Sequence, residues 1–114
     1  MELKNRTVKN KMTEEETISW IFLSIAFASE TKTADLKEIS NIADGINHSI
    51  PNQKELKNSI HWLLEKKLIE QNGKKYKLSK SGIIEFKETS EKTNVISKIW
   101  KNLELRIKGI IENN

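Results

Sequence analysis

Residues 52–82 read NQKELKNSIHWLLEKKLIEQNGKKYKLSKSG, and this stretch decides the fold. Its first half carries apolar residues at i, i+4, i+7 and i+8, the spacing of one stripe on an α-helix. Asn52 and Glu55 stand three residues apart, as in a capping box, so the helix should begin there. The pattern predicts a helix over residues 52–66 whose buried stripe is formed by Leu56, Ile60, Leu63 and Leu64.

The second half of the stretch has the pattern of a β-hairpin. Asn72-Gly73 lies between two short runs and is typical of a type I′ turn, in which both central residues have positive φ. Tyr76 then alternates with Lys75 and Lys77, as in a half-buried strand. We therefore predict a hairpin over residues 69–78, followed by a helix that Ser79 caps and that ends near residue 89.

Three further helices are predicted, over residues 14–29, 33–47 and 95–111. Thr13 and Glu16 form a second capping box, and Thr33 is placed to cap the next helix. The predicted fold is mostly α with a small β-hairpin, arranged as a helix-turn-helix, a wing and an added C-terminal amphipathic helix. The organisation is a basic N-terminal arm over 1–12, a winged helix-turn-helix domain over 13–90 and a C-terminal helix over 91–114.

Composition excludes several classes of protein. The longest apolar run, residues 18–28, is shorter than the roughly 20 residues that span a bilayer. No signal peptide pattern opens the chain, so we expect a cytoplasmic protein without a membrane partner. Cysteine is absent, and the two histidines lie 13 residues apart, which argues against a metal site. Without a nucleophile motif or a Gly-rich phosphate loop, we expect neither an enzyme nor a cofactor.

Charge is unevenly distributed along the chain. The net charge is +4, yet residues 52–80 hold eight lysines and three acidic residues, whereas residues 13–51 hold two lysines and seven acidic residues. A basic helix and hairpin of this kind indicate a face that binds a polyanion. Only two of the 20 basic residues are arginine, which favours phosphate contacts over base readout.

Particular side chains are candidates for contacts with duplex DNA. A recognition helix presents its outward residues to the major groove, and a hairpin tip reaches the backbone or the minor groove. With Ile60 taken as the buried centre, Glu55 and Glu65 point away and repel phosphates, so only part of the helix face should touch DNA. The alternatives are a solvated helix face and lysines that protect an edge strand from aggregation. The candidates are Lys54, Lys57, Asn58 and His61 on the helix, and Lys74, Lys75 and Lys77 on the hairpin.

The order of these elements resembles the bacterial winged helix-turn-helix superfamily, in particular MarR-type and PadR-type regulators. The resemblance covers residues 14–90 and includes the wing motif Y-x-L-[ST]-x-x-G, here residues 76–82. It implies a transcriptional regulator that binds double-stranded DNA. These regulators usually have glycine before the Leu-Ile pair that opens the wing, and this chain has Lys67. The lysine must either adopt a left-handed conformation or end the helix differently.

A homodimer is expected from the two most apolar helices. The helix over 14–29 is apolar almost all round and must be covered on more than one side, by the C-terminal helix or by a second subunit. The C-terminal helix has a nearly heptad spacing, and in the resembled regulators such helices form dimers. The predicted interface residues are Trp20, Ile96, Ile99, Trp100, Leu103, Ile107 and Ile110.

An alternative function follows from Trp62, which lies nearly opposite Ile60 on the helical wheel. Either protein covers this ring, or it stacks on nucleic acid. If DNA binding has been lost, the winged helix would be a protein–protein interaction module that offers Trp62 to a partner helix. An effector pocket for a small molecule between helices 14–29 and 95–111 is compatible with either function.

Overall fold

The computed structural model describes residues 12–113 and is mostly helical with a small antiparallel sheet. The predicted basic arm over residues 1–12 lies outside this part of the chain, apart from Met12. Most helix boundaries agree with the predicted ones to within a residue. The elements in chain order are α1 (Glu14–Ala28), β1 (Ala34–Asp35), α2 (Leu36–Asn47), α3 (Gln53–Glu65), β2 (Ile69–Asn72), β3 (Lys75–Leu78), α4 (Lys80–Ser90) and α5 (Ile96–Glu112).

Helix α1 forms the centre of the core. Every residue from position 18 to position 26 is buried, because α2, α3 and α5 all pack against this helix. The two serines in this segment satisfy their hydroxyls locally, since Ser19 donates to the carbonyl of Glu15 and Ser24 to that of Trp20. None of the helices in residues 12–113 combines the length and the apolar character that crossing a membrane requires.

The C-terminal helix α5 supplies the cover that α1 needs. The Trp100 ring stacks on Trp20 with 6.3 Å between centroids, and its indole N–H donates to Ser19 Oγ at 3.0 Å. Trp20 is only 1% exposed, and its own indole N–H donates to the carbonyl of Ala43 on α2 at 2.9 Å. The first of the two alternatives for covering α1 is therefore confirmed in the described chain.

This packing occupies much of the predicted dimer interface. Trp20, Ile99, Leu103 and Ile107 are buried inside one chain and have almost no surface to offer a second copy. Trp100 and Ile110 are half-buried against the same core, and Ile96 is 45% exposed. The homodimer stays a prediction.

The interface between α5 and α1 leads to a prediction for Trp100→Phe. The phenyl ring keeps most of the apolar contact with Trp20 but loses the N–H that donates to Ser19 Oγ. We expect the free energy of unfolding to fall by about 1 kcal/mol, the usual net contribution of one hydrogen bond. Urea unfolding followed by circular dichroism measures this, and an unchanged midpoint would show that the bond contributes nothing.

An ion-pair cluster joins α4 to α5. The Arg106 guanidinium hydrogen bonds to Glu85, and its other nitrogen lies 2.7 Å from a carboxylate oxygen of Glu88. The hydrogen bond to Glu85 raises the pKa of Arg106 above its ordinary value, with a further contribution from the charge of Glu88. Because these groups are partly exposed, their contribution to stability is small.

The local start signals explain most helix boundaries, with one correction. The capping boxes at Thr13 and Asn52 are both present. Thr33 does not cap α2, contrary to the prediction. Ala34 and Asp35 instead pair with β3 as a short strand, and Asp35 then caps the helix two residues later than expected, in a box with Glu38.

The hairpin is present, but its turn differs from the predicted type I′ turn. Asn72 pairs with Lys75, so the two central residues are Gly73 and Lys74. Among these, only Gly73 has a positive φ, of 65°, which is the arrangement of a type II′ turn. This register directs Tyr76 into the core, and a shift by one residue would turn its ring outward. The sheet order is β1-β3-β2.

Candidate nucleic-acid interface

A helix C-terminal motif fixes the hairpin to α3. The N–H of Leu68 donates to the carbonyl of Leu63 at 2.9 Å, and the N–H of Lys67 donates to that of Leu64 at 3.0 Å. These are the two hydrogen bonds of a Schellman motif. Lys67 has a φ of 61° and occupies the left-handed position, which is the first of the two alternatives expected for it.

The start of α4 closes the hairpin from the other side. The N–H of Ser79 donates to the carbonyl of Leu68 at 3.1 Å, and its hydroxyl donates to the carbonyl of Lys67 at 2.7 Å. The same hydroxyl accepts from the N–H of Gly82 at 3.0 Å, which caps the helix. Gly82 itself is pressed against the Leu68 carbonyl, where a Cβ would lie 2.0 Å from the oxygen. The base of the hairpin is therefore hydrogen-bonded both to the end of α3 and to the start of α4.

The left-handed lysine leads to a second prediction, for Lys67→Gly. A side chain at positive φ costs about 1 kcal/mol, a penalty that glycine does not have. We expect the free energy of unfolding to rise by about 0.5–1 kcal/mol in urea titrations. The control is Lys66→Gly, at a residue with a φ of −84°, which should lower stability instead. If Lys67→Gly is also destabilising, conformational strain at this turn is unimportant.

The exposed face of α3 is centred differently from the predicted one. Leu56 and Leu63 are the most deeply buried apolar residues of the helix, and Ile60 lies nearer the edge of the buried side. Lys54, His61 and Glu65 therefore lie near the middle of the outward face, and Glu55 is half-buried rather than pointing away. The four predicted contact residues are all exposed on this helix: Lys54, Lys57, Asn58 and His61.

Trp62 lies at the margin of this face. Its ring is half-buried and packs against the core, so protein covers it in part. The Lys66 ammonium lies 5.8 Å from the ring centroid, a cation–π distance. The Lys66 ammonium thus lies over the Trp62 ring, and its positive charge contributes less to the outward face of α3 than its position in the sequence suggests.

The wing lysines differ in their surroundings. Lys74 is a central residue of the turn and Lys75 is the next residue, and both are exposed. The ion pairs found among residues 12–113 involve neither of them. Lys77 pairs with Glu70 across the hairpin at 3.8 Å, with both side chains about half exposed. Lys75 is the cross-strand neighbour of Asp35, but the two ammonium groups at the hairpin tip form no ion pair in the described chain.

One outward residue was missed by the sequence analysis. Gln53 is the first residue of α3 and is exposed beside Lys57. The N-terminal residues of a recognition helix are the ones that reach base edges, and a glutamine amide can pair with adenine. The position of Gln53 directly after the Asn52 cap was the sequence signal that placed it in the first turn of the helix.

Comparison with known protein families, curated proteins and solved structures finds no match for this chain.

Proposed function

We propose that this chain is a winged helix-turn-helix protein that binds duplex DNA and acts as a transcriptional regulator. The element order supports the winged-helix part: two helices joined by a five-residue connection, then a hairpin, with a short strand before the first of these helices that pairs with the hairpin. In this reading α3 is the recognition helix and β2–β3 is the wing.

The hairpin tip is the observation that carries the DNA-binding proposal. Lys74 and Lys75 are exposed there without ion-pair partners among residues 12–113, and the hydrogen bonds of Ser79 to Lys67 and Leu68 join the two ends of the hairpin at its base. Two exposed ammonium groups on a projecting hairpin suit contacts with the charges of a phosphate backbone. Lys54 and Lys57 on α3 would add further phosphate contacts, and Asn58, His61 and Gln53 would face the bases.

The experiment is a salt titration of binding to a random-sequence duplex, read by fluorescence anisotropy. The logarithm of the association constant should fall linearly with the logarithm of salt concentration, by about 0.9 for each neutralised phosphate. With four lysines in contact we expect a slope of about −4. A single strand of the same length, for which the slope per contact is smaller, tests the preference for a duplex. Absence of binding at about 50 mM salt would contradict the proposal.

The position of Trp62 gives little support to the protein-interaction alternative. This alternative depends on a Trp62 ring offered to a partner, and that ring is half-buried and partly covered by Lys66. A chain of this second class would show no steep dependence of duplex binding on salt. The titration described above therefore separates the two functions.

A further inference from the structure

A small cleft lies beside the recognition face, between the first turn of α1 and the N-terminal half of α3. Its volume is about 210 Å³, enough for a small organic molecule. The floor is apolar and includes Ile18, which is almost fully buried. The residues that matter for its chemistry are Glu14, Ile18, Lys54, Glu55, Asn58 and Ser59.

Ser59 is the feature of the cleft that points to a ligand. The side chain is only 2% exposed, and its hydroxyl forms no hydrogen bond with any residue from 12 to 113. The buried hydroxyls of Ser19, Ser24, Ser79 and Thr89 have partners in this part of the chain, whereas that of Tyr76, like that of Ser59, has none there. The Ser59 oxygen is not sealed within the protein, so it remains accessible from the cleft. Buried polar groups normally have a partner, and a bound molecule would supply one.

The charges around the cleft favour a cation. Glu14 and Glu55 contribute two carboxylates against the single ammonium of Lys54. One oxygen of Glu55 accepts from the backbone N–H of Asn52 at 2.9 Å, which leaves the other oxygen for a ligand. Glu14 lies outside the Thr13 capping box, so its carboxylate interacts with the positive end of the helix dipole but forms no capping hydrogen bond in the described chain. A positively charged donor therefore fits the rim better than an anion does.

We propose that this cleft binds a small organic amine with an apolar body. The ammonium pairs with Glu14 and Glu55 and donates to the Ser59 hydroxyl, while the apolar part covers Ile18. A bound amine would also regulate DNA binding, and this regulatory step rests on the proposed DNA-binding function. Lys54 and Asn58 border both the cleft and the outward face of α3. A bound amine therefore repels the Lys54 ammonium, and it competes with the DNA backbone for this edge of the helix.

Binding at the cleft can be tested without DNA, with phenethylamine as the probe. Full-length protein labelled with ¹⁵N is titrated, and the amide shifts of Ile18 and Ser59 are followed. Phenethylamine should move these signals with saturation, and phenylacetate, which has the same ring and the opposite charge, should bind at least about tenfold more weakly. Equal binding of the two, or no saturable shift with phenethylamine, would overturn the site.

Variants locate the binding in the cleft. Glu14→Gln should weaken phenethylamine binding by about fivefold or more. Glu15→Gln is the matched control, because Glu15 is the next residue of α1 and does not line the cleft. This variant should bind phenethylamine within about twofold of the affinity of the unsubstituted protein. Ser59→Ala should also weaken binding, and alanine preserves the helix. If all three variants bind equally well, the probe binds elsewhere and the site is wrong.

The regulatory step is tested in the duplex assay. Saturating phenethylamine should weaken DNA binding by about threefold or more, while sodium chloride at the same concentration controls for ionic strength. An unchanged affinity with the cleft occupied would overturn the regulatory step. If the free chain binds no DNA, the proposed function fails, and the shift titration alone still decides whether the amine site exists.

Discussion

Replacing Gly82 with alanine is expected to lower the free energy of unfolding by about 3 kcal/mol or more. The added Cβ would lie 2.0 Å from the Leu68 carbonyl oxygen, a distance that no rotamer change can relieve, because both atoms belong to the backbone framework. The first turn of α4 must move away, which breaks the Ser79 hydrogen bonds to Lys67 and Leu68. Urea unfolding followed by circular dichroism measures the loss.

Gly109→Ala is the matched control for this substitution. Gly109 also lies inside a helix, and a Cβ there meets nothing within 4 Å. Alanine should stabilise α5 by about 0.5–1 kcal/mol, the usual difference between the two residues in a helix. If the Gly82 and Gly109 variants have the same stability, the close approach at Leu68 does not exist.

Reversing the charge of the hairpin tip, in the double variant Lys74→Glu and Lys75→Glu, is expected to weaken binding to random duplex DNA by about 10- to 100-fold at moderate salt. Both side chains are exposed and outside the hydrophobic core, so the fold should be retained. The new carboxylate at position 75 stands opposite Asp35 on β1, which should cost no more than about 1 kcal/mol. The slope of the logarithm of affinity against that of salt should become shallower by about 2, one for each lost phosphate contact.

The control reverses two exposed lysines far from the hairpin, Lys98→Glu and Lys108→Glu on α5. The change in net charge is identical, and only its position differs. Beyond about 10 Å a surface charge is largely screened at 0.1 M salt, so this control should lose no more than about threefold in affinity. Equal losses in the two variants would mean that overall charge, rather than the wing, governs binding.

Local signals made part of this fold predictable from sequence. The caps at Thr13, Asn52 and Ser79 depend on residues three positions away, and all three are present. The β1 strand could not be predicted, because two residues have no period and are held in place only by pairing with β3. The cap at Thr33 was misplaced for the same reason.

The candidate site was predictable to a similar extent. The exposure of Lys54, Lys57 and Lys74 follows from their charge and spacing. The centre of the α3 face was misplaced because a helical wheel with several apolar residues does not say which of them faces the core. The cleft was missed as well, since it lies where α1 packs on α3 and the tertiary fold alone brings Glu14 beside Ser59.

The burial of residues 18–26 of α1 has a consequence for the order of folding during synthesis. Its apolar surface emerges from the ribosome first among the described elements, whereas α5, which covers it, emerges last. The nascent chain therefore carries an incompletely covered apolar helix until α5 has emerged, in a state open to chaperones or to wrong partners. The Trp20–Trp100 stack can form only once α5 has been synthesised.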